Sequence, residues 1–383
     1  MSRGAFVSGF GVYVHWPYCS AICPYCDFNV YRARGRESAP LLAAIAADIE
    51  AHAARFGARE VQSLFIGGGT PSLLRGGEIE GLIEAAARAF PLASDCEITL
   101  EANPEDAALF AEHAAAGVNR FSIGLQALEE SALKALGRKH DVQSALRAVE
   151  AAAATGRRVS ADLIYAREGQ SVGAWRAELQ QALALPVEHL SLYQLTIEPR
   201  TAFARRAARG QLIAPDNDAA AELYEATQEL CEAAGFPAYE ISNHARSAAA
   251  RSAHNLIYWR SGDWIGVGPG AHGRITHRGA RLAFEAQRRP ADYIEAMREQ
   301  GVGWITETKL TGEEAGDEML LMGLRVEEGV DLARIAALRG RAVDANALRW
   351  LEQQGLLIQA QGRARLTRAG RVLANRIAAE LAV

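Results

Sequence analysis

The chain has 383 residues, a formal net charge of −5 and 49% hydrophobic residues, which is enough for one large α/β unit, a smaller domain and a full core. The negative charge leaves no basic footprint, so we expect no nucleic-acid partner. No apolar stretch is long enough to span a membrane, and the first residues lack a secretory signal, which predicts a cytoplasmic protein. Five cysteines, three of them close together, suit a reducing compartment.

Strand-length apolar runs alternate with helix-length amphipathic stretches as far as residue 195. We predict strands at 11–15, 61–66, 97–100, 120–124, 159–164 and 189–195, and helices at 39–56, 78–90, 105–116, 142–154 and 172–185. Six repeated β–α steps predict an α/β fold, a parallel sheet curved into a partial (β/α)6 barrel. The functional groups should then lie just beyond the C-terminal ends of the strands.

The loop after the first predicted strand carries Cys19, Cys23 and Cys26 in the spacing C-x3-C-x2-C. Three thiolates can bind three corners of a [4Fe–4S] cluster, and the fourth iron is then free for an exchangeable molecule that has an amine and a carboxylate. A zinc site normally needs a fourth ligand and a second cysteine pair, but Cys96 and Cys231 stand alone. The spacing therefore favours a cluster over zinc or a disulfide.

Glycines or polar residues occur at the ends of the next strands. Three glycines and Thr70 follow the second strand, although a triple glycine alone indicates no more than a tight turn. Glu101 ends the third strand, Gln126 ends the fourth and Asp162 lies in the fifth. Taken singly, Glu101 or Gln126 could simply cap the next helix. Together these side chains suit a pocket for a polar ligand.

The character of the chain changes beyond residue 300. Helical patterns at 311–325 and 343–354, a hairpin at 356–358 and 363–366, and a helix at 367–381 capped by Thr367 predict a mainly helical, winged-helix-like domain. The acidic Glu327, Glu328 and Asp331 offer no basic stripe for DNA, so we expect a lid or a partner-docking domain. We divide the chain into a barrel at 1–236, a connecting segment at 237–300 and this domain at 301–383.

The motifs resemble the radical SAM superfamily and, within it, the branch of the coproporphyrinogen dehydrogenases and HemW-type heme chaperones. The resemblance continues past the barrel in HLSLYQLTIEP (189–199), YEISN (239–243), HNLIYW (254–259) and GVGPGAHG (266–273). It implies that Cys19, Cys23 and Cys26 hold a [4Fe–4S] cluster. It also implies that S-adenosylmethionine is bound by Tyr13, Tyr25, Gly68, Gly69, Thr70, Glu101, Gln126, Arg138 and Asp162.

Three features separate the two members of this branch. The dehydrogenase pattern has another cysteine two residues after the last cluster ligand, where this chain has Phe28, and it has a long N-terminal extension where only eighteen residues precede Cys19 here. The HNxxYW motif is associated with the heme chaperones. The resemblance thus implies heme as a cofactor, with a site that is formed by His254, Asn255, Tyr258 and Trp259.

Imidazole is a good axial ligand for heme iron, and flat aromatic rings can stack on a macrocycle. From local sequence alone, however, a histidine followed by two aromatic residues equally fits packing in the seam between the barrel and the C-terminal part of the chain. His244 and His272 lie nearby in the sequence and are alternative iron ligands.

The function implied is a chaperone that binds the cluster, S-adenosylmethionine and heme, and passes heme to an acceptor protein. The alternative is an oxygen-independent coproporphyrinogen III dehydrogenase, in which a 5′-deoxyadenosyl radical abstracts hydrogen from each propionate. A non-redox protein with vestigial motifs is a third possibility, which the complete set of cluster cysteines disfavours. Transient contact with membrane-bound heme proteins and homodimerisation are both left open.

This chain departs from the family pattern at three places. Ala166, Arg167 and Glu168 stand where the family usually has glycine, leucine and proline, which puts the shape of that loop in doubt. Arg200 stands where a glycine is usual, and Ala253 where an arginine is frequent. None of these residues is a cluster ligand, so we expect them to affect the fit of a substrate more than the cluster.

Overall fold

The computed structural model describes residues 9–33, 35 and 37–382. Its strands are β1 Phe10–Trp16, β2 Tyr18–Cys19, β3 Tyr31–Arg32, β4 Val61–Gly68, β5 Leu92–Ala102, β6 Arg120–Gln126, β7 Arg158–Tyr165, β8 His189–Gln194, β9 Asn243–Ala245, β10 Asp263–Val267, β11 His272–His277, β12 Ala280–Ala286, β13 Trp304–Lys309, β14 Val330–Asp331, β15 Leu357–Ala360 and β16 Arg363–Leu366. Its α-helices are α1 Ala39–Phe56, α2 Gly76–Ala89, α3 Phe110–Ala115, α4 Glu130–Ala135, α5 Val142–Ala154, α6 Val172–Leu183, α7 Ala202–Ala207, α8 Asn217–Ala233, α9 Ala253–Trp259, α10 Pro290–Gln300, α11 Gly312–Gly323, α12 Leu332–Arg339, α13 Ala345–Gln353, α14 Arg368–Val372 and α15 Ala374–Leu381.

The six predicted barrel strands are confirmed as β1, β4, β5, β6, β7 and β8. They are neighbours in this order, and every pair is parallel. Helices occupy the connections, as the alternating pattern predicts. All six strands therefore end on the same edge of the sheet, where the loops that follow them meet.

The sheet extends beyond the six barrel strands on both sides. The strand β10 pairs parallel to β1, and β11, β12 and β13 continue the sheet in antiparallel order, while β9 pairs antiparallel to β8. Most of these strands and the helix α9 come from segment 237–300, which we expected to connect two domains. This segment contributes to the main sheet, whereas the division of the chain at residues 236 and 300 stays a prediction.

Two of the predicted helices are interrupted. The stretch 105–116 forms a 3₁₀ helix, Pro104–Leu109, before α3, with an i→i+3 hydrogen bond from the Asp106 N–H to the Asn103 carbonyl (3.1 Å). The stretch 367–381 breaks at Leu373 into α14 and α15. The helix α14 packs closely against the preceding chain: a Cβ at Gly370 would lie 1.9 Å from the Leu356 carbonyl oxygen. The predictions of two continuous helices are therefore wrong.

The C-terminal part has its own small hydrophobic core. The predicted hairpin is confirmed as β15 and β16, and β14 adds a third strand beside β16. The helices pack on this sheet through the buried side chains Leu320, Ile335, Leu351 and Ile377. Thr311 and Thr367 cap α11 and α14, as such residues do at helix starts. In the part of the chain that the structure describes, no helix combines the length and apolar character needed to cross a membrane.

Candidate functional site

The three predicted cluster cysteines lie in one loop at the C-terminal end of β1. The loop is held by β2 and β3, by a hydrogen bond from the Cys26 N–H to the Cys23 carbonyl (3.2 Å) and by one from the Ala33 N–H to the Cys19 carbonyl (2.9 Å). All three thiols are free and line one cavity of about 350 Å³, which we call the first cavity. Burial raises the pKa of Cys19 and raises that of Cys26 to about 12.

The glycine turn after β4 allows two strands to approach each other closely. Gly68 has a φ of +105°, and a Cβ there would lie 2.6 Å from the His15 ring. A Cβ at Gly69 would lie 2.8 Å from the Tyr18 carbonyl oxygen and 2.9 Å from that of Trp16. Side chains at these two positions would therefore push the glycine turn away from the chain that leads to Cys19. Both glycines and Thr70 line the first cavity.

Two predicted carboxylates, Glu101 and Asp162, lie in the wall of the first cavity. Glu101 accepts a hydrogen bond from the Gly68 N–H (2.8 Å), and burial, with a smaller contribution from Asp162, raises the pKa of Glu101 to about 7. Asp162 accepts a hydrogen bond from the Ser122 hydroxyl (2.9 Å), and burial raises its pKa as well. Burial thus makes the charged form of both carboxyl groups less favourable, and both are suited to hydrogen-bond a ligand.

Arg138 connects the cysteine loop to the strand ends. Its Nη1 donates to the Cys23 Sγ (3.5 Å), and its Nη2 donates to the Asn103 Oδ1 (2.6 Å) and to the Gly124 carbonyl (3.1 Å). Its Nε is buried and has no hydrogen-bond partner among the described residues. The Asn103 Nδ2 in turn donates to the Thr70 Oγ1 (3.2 Å). Asn103 was missed from the sequence, although it directly follows the strand that ends near Glu101.

Two more predicted residues of this pocket, Gln126 and Tyr25, also line the first cavity. Gln126 has a φ of +67°, and the register between β6 and β7 shifts between Gly124 and Gln126. This irregularity turns the end of β6 out of the regular ladder. Tyr25 packs against Phe203, with ring centroids 6.2 Å apart, and burial raises its pKa.

A second cavity of about 890 Å³ lies beside the first and shares part of its wall, including Cys26, Gly68 and Glu101. Tyr13, which the resemblance assigns to S-adenosylmethionine, lines this second cavity and not the first. The same cavity is lined by three of the four predicted heme residues, His254, Asn255 and Tyr258, and by further aromatic side chains. Neighbouring rings run in the order Phe65, His254, Tyr258 and Trp264, with centroids 5.0, 4.7 and 4.5 Å apart.

The His254 ring is buried and has a partner at each nitrogen. Its Nδ1 is 2.8 Å from the Ser63 Oγ, and its Nε2 is 2.7 Å from the Tyr258 hydroxyl oxygen. Burial lowers the pKa of His254 to about 3, so the imidazole is neutral at pH 7. When the Tyr258 hydroxyl donates to Nε2, the ring hydrogen lies on Nδ1 and can be donated to Ser63. A metal could then reach the Nε2 lone pair only after Tyr258 moves.

Trp259 lies away from the other three residues of its motif. It packs with Tyr239 and Leu256 and lines a separate cavity of about 390 Å³ with residues of the C-terminal part, such as Met319. Consecutive residues on a helix point about 100° apart, so Tyr258 and Trp259 cannot face the same space. The structure therefore brings together His254, Asn255 and Tyr258 but not Trp259.

The two alternative histidines lie in different environments. His244 is buried in β9, where its Nε2 is 3.3 Å from the Gln228 Nε2, and burial lowers its pKa to about 3. It does not line the second cavity. His272 is exposed and does line that cavity.

The unusual loop after β7 is held by a buried ion pair. Ala166 has a φ of +56°, a conformation that favours glycine. The Arg167 guanidinium pairs with the Glu178 carboxylate (Nη1 to Oε1, 3.0 Å) and also donates to the Ile164 carbonyl (3.1 Å). Arg200 has a φ of +69°. Where we expect glycine from the family pattern, the chain thus keeps the left-handed backbone with other residues.

Comparison with known proteins identifies the class of this fold. The sequence pattern of the radical SAM superfamily matches residues 13–180, and that of the HemN C-terminal domain matches residues 310–373. Coproporphyrinogen III oxidase (HemN) from Escherichia coli, described as a radical SAM enzyme, has a similar fold with a TM-score of 0.81 at 22% identity, over 98% of this chain and 90% of that one. The fold is that of a radical SAM protein with a HemN-type C-terminal domain.

Similar proteins of assigned function identify the family within this superfamily. The heme chaperone HemW of Mycobacterium tuberculosis is 37% identical over 374 residues, 96% of this chain and 93% of the relative, and that of Escherichia coli is 40% identical over 75% of this chain and 78% of the relative. A mitochondrial radical S-adenosyl methionine domain-containing protein 1 from Bos taurus is 41% identical over 83% of this chain and 74% of the relative. The chain belongs to the HemW family of the radical SAM superfamily.

Proposed function

We propose that this protein is a heme chaperone that binds a [4Fe–4S] cluster, S-adenosylmethionine and heme, and passes the heme to an acceptor protein. The observation that carries the proposal is the pair of adjoining cavities. One contains three free cysteines and a set of polar side chains, and the other has an aromatic wall with a buried, neutral histidine. The identity to curated heme chaperones supports the same function.

The cysteine loop has the donors that a [4Fe–4S] cluster needs. Among residues 9–33, 35 and 37–382, no three histidine, cysteine or acidic side chains converge as they would around one metal ion. The three cysteines of a [4Fe–4S] cluster bind separate irons and so need not converge on one point. When bound, the cluster supplies an iron that chelates S-adenosylmethionine and an electron for its reduction. Arg138, which already contacts the Cys23 Sγ, would balance part of the cluster's negative charge.

The first cavity fits S-adenosylmethionine beside the cysteines. Its volume is within the range of about 300–1,000 Å³ that is usual for small-molecule sites. Glu101 and Asp162 offer acceptors for the amine and ribose hydroxyls of the ligand, and Gln126 adds an amide. We assign Gly68, Gly69 and Thr70 to the turn that places these groups next to the cysteine loop. Tyr13 lines only the second cavity, so we assign it to the boundary between the two ligands.

The second cavity fits a flat, largely apolar macrocycle. Tyr258 and its neighbouring rings offer aromatic surface, and neutral His254 offers a lone pair for iron once Tyr258 is displaced. Asn255 lines the same cavity. We assign Trp259 to packing between α9 and the C-terminal part, because its ring contacts that side.

The same proposal includes an acceptor protein that docks near the mouth of the cavities. The loop residues Ile22 and Phe28 line both cavities and expose 44% and 59% of their surface. An apolar rim of this kind suits the transfer of an apolar ligand between proteins. The acceptor protein, a homodimer and a cytoplasmic location stay predictions.

Removal of the cluster cysteines tests the first part of the proposal. A Cys19→Ala, Cys23→Ala, Cys26→Ala variant should retain no iron or acid-labile sulfide after anaerobic reconstitution. A Cys96→Ala, Cys231→Ala variant is the matched control and should retain about four irons per chain, because those cysteines lie outside the first cavity. Full iron content in the triple variant would contradict the assignment.

Heme titration tests the second part. Followed by absorbance, the wild-type protein should saturate at one heme per chain, and His254→Ala should bind far more weakly. His244→Ala removes an equally buried histidine outside the second cavity and should bind heme normally, provided that both variants keep the wild-type far-UV spectrum. Normal binding by His254→Ala would show that another group holds the iron, and His272, the alternative that lines the cavity, would be replaced next.

A further inference from the structure

Acidic and basic side chains occupy different parts of the wall of the second cavity. The acidic residues Asp27, Glu101 and Glu198 line both cavities and therefore lie at their common boundary. Arg200 and Arg288 line the second cavity only. The acidic residues thus mark the boundary between the two cavities, whereas the two arginines belong to the second cavity alone.

The exposed guanidinium of Arg200 is available to a ligand. Its side chain is exposed and forms no ion pair within the described residues, while its carbonyl accepts a hydrogen bond from the Arg205 Nη1 (3.2 Å). Its backbone has a φ of +69°, a conformation in which a residue other than glycine is strained. A large cation in a conformation that favours glycine, at the edge of a ligand-sized cavity, indicates a role for the side chain.

The backbone of Arg288 is held by hydrogen bonds, while its guanidinium is exposed enough to bind a ligand. Its carbonyl accepts hydrogen bonds from the Asn29 Nδ2 (2.7 Å) and from the Tyr31 hydroxyl (3.1 Å), which tie this segment to the cysteine loop. Its Nε donates to the Glu285 carboxylate (3.0 Å), but the Arg288 side chain is 57% exposed. Exposed ion pairs of this kind are weak and exchange readily for a better acceptor.

We propose that Arg200 and Arg288 bind the two propionates of the heme, so that the carboxylate edge of the macrocycle lies against residues that do not line the first cavity. This inference rests on heme binding in the second cavity, as proposed above. Arginine forms bidentate hydrogen bonds with carboxylates, and the acidic residues at the boundary with the first cavity repel carboxylates there. The apolar edge of the macrocycle then lies toward Ile22 and Phe28, which line both cavities.

This orientation has a chemical consequence. Oxidative decarboxylation of coproporphyrinogen requires hydrogen abstraction from propionates placed beside S-adenosylmethionine. With the propionates held at Arg200 and Arg288, these groups contact residues that line only the second cavity. The arrangement therefore suits a protein that holds and releases heme rather than one that shortens propionates.

Heme and its dimethyl ester test the orientation directly, because the ester keeps the iron and the macrocycle but has no propionate charge. Wild-type protein should bind heme on the order of tenfold more tightly than the ester, as two exposed ion pairs permit. This preference should fall as salt is raised. An Arg200→Gln, Arg288→Gln variant should lose the preference and bind the ester as the wild-type protein does. Arg289→Gln is the matched control, because Arg289 neighbours Arg288 but lines neither cavity.

The outcomes separate this inference from the proposed function. Equal affinity of the wild-type protein for heme and ester would overturn the role of the two arginines and leave heme binding intact. An unchanged preference in the double variant, or an equal loss in Arg289→Gln, would also overturn it. Failure of the wild-type protein to bind either compound would contradict the proposed function itself.

Discussion

Arg167 provides the sharpest stability prediction, because it stands where the family usually has leucine and is buried with one acidic partner. The side chains of Arg167 and Glu178 are 10% and 7% exposed. Replacement by methionine leaves the Glu178 carboxylate buried without its cation, which typically costs about 3–5 kcal/mol. Glu178 keeps the Leu128 N–H (2.7 Å) and the Gln170 Nε2 (3.2 Å) as donors. We therefore expect Arg167→Met to lose about 3 kcal/mol, at the lower end of that range.

Urea unfolding followed by far-UV circular dichroism at pH 7 measures this loss. The double variant Arg167→Met, Glu178→Gln removes both charges and keeps an acceptor for the Leu128 N–H, so it should recover most of the stability. Glu178→Gln alone leaves the arginine unpaired and should also be destabilised. A loss below about 1 kcal/mol in Arg167→Met, or a double variant as unstable as the sum of the two single ones, would refute the buried pair as the support of this loop.

Three further predictions concern the backbone and the ligand site. Burial raises the pKa of Glu101 to about 7, and cationic S-adenosylmethionine favours the charged carboxylate, so below pH 7 the ligand must displace a proton from Glu101. Calorimetry should therefore find that the affinity for S-adenosylmethionine rises by up to about tenfold per pH unit below pH 7 and is constant above it. The Glu101→Gln variant should show no such pH dependence. Ala166→Gly relieves a left-handed residue and should raise the free energy of unfolding by about 0.5–1 kcal/mol in urea titrations, and a decrease would contradict the assigned conformation. Gly69→Ala should lower the iron content after reconstitution, because its Cβ meets backbone atoms of the cysteine loop, whereas Gly77→Ala, which meets nothing within 4 Å, should leave it unchanged.

Local sequence patterns predict the six barrel strands well, because each pattern depends only on neighbouring residues. The strand β10 could not be read in this way. It pairs with β1 across about 250 residues, with Phe10 opposite Asp263. One residue of β10, Gly266, does reflect the tertiary packing, because a Cβ at this position would lie 2.1 Å from the His272 carbonyl oxygen. A glycine without a turn thus indicates close backbone approach, but not which strand approaches.

In the candidate site, too, some features follow from the local sequence and others depend on tertiary packing. Spacing alone predicts that Cys19, Cys23 and Cys26 act together, since they share a short loop. The positions of Trp259 and His254 depend on the orientation of one helix against the sheet, which a motif does not specify. Hydrogen bonds between loops, such as those of Asn103 to Thr70 and Arg138, are likewise absent from local patterns.

One experiment tests the central claim most directly: reconstituted protein with S-adenosylmethionine and a reductant is incubated anaerobically with coproporphyrinogen III, and a parallel sample is titrated with heme. The account predicts saturation at one heme per chain and unchanged coproporphyrinogen in product analysis. Conversion to protoporphyrinogen, or the absence of saturable heme binding, would contradict the assignment as a heme chaperone.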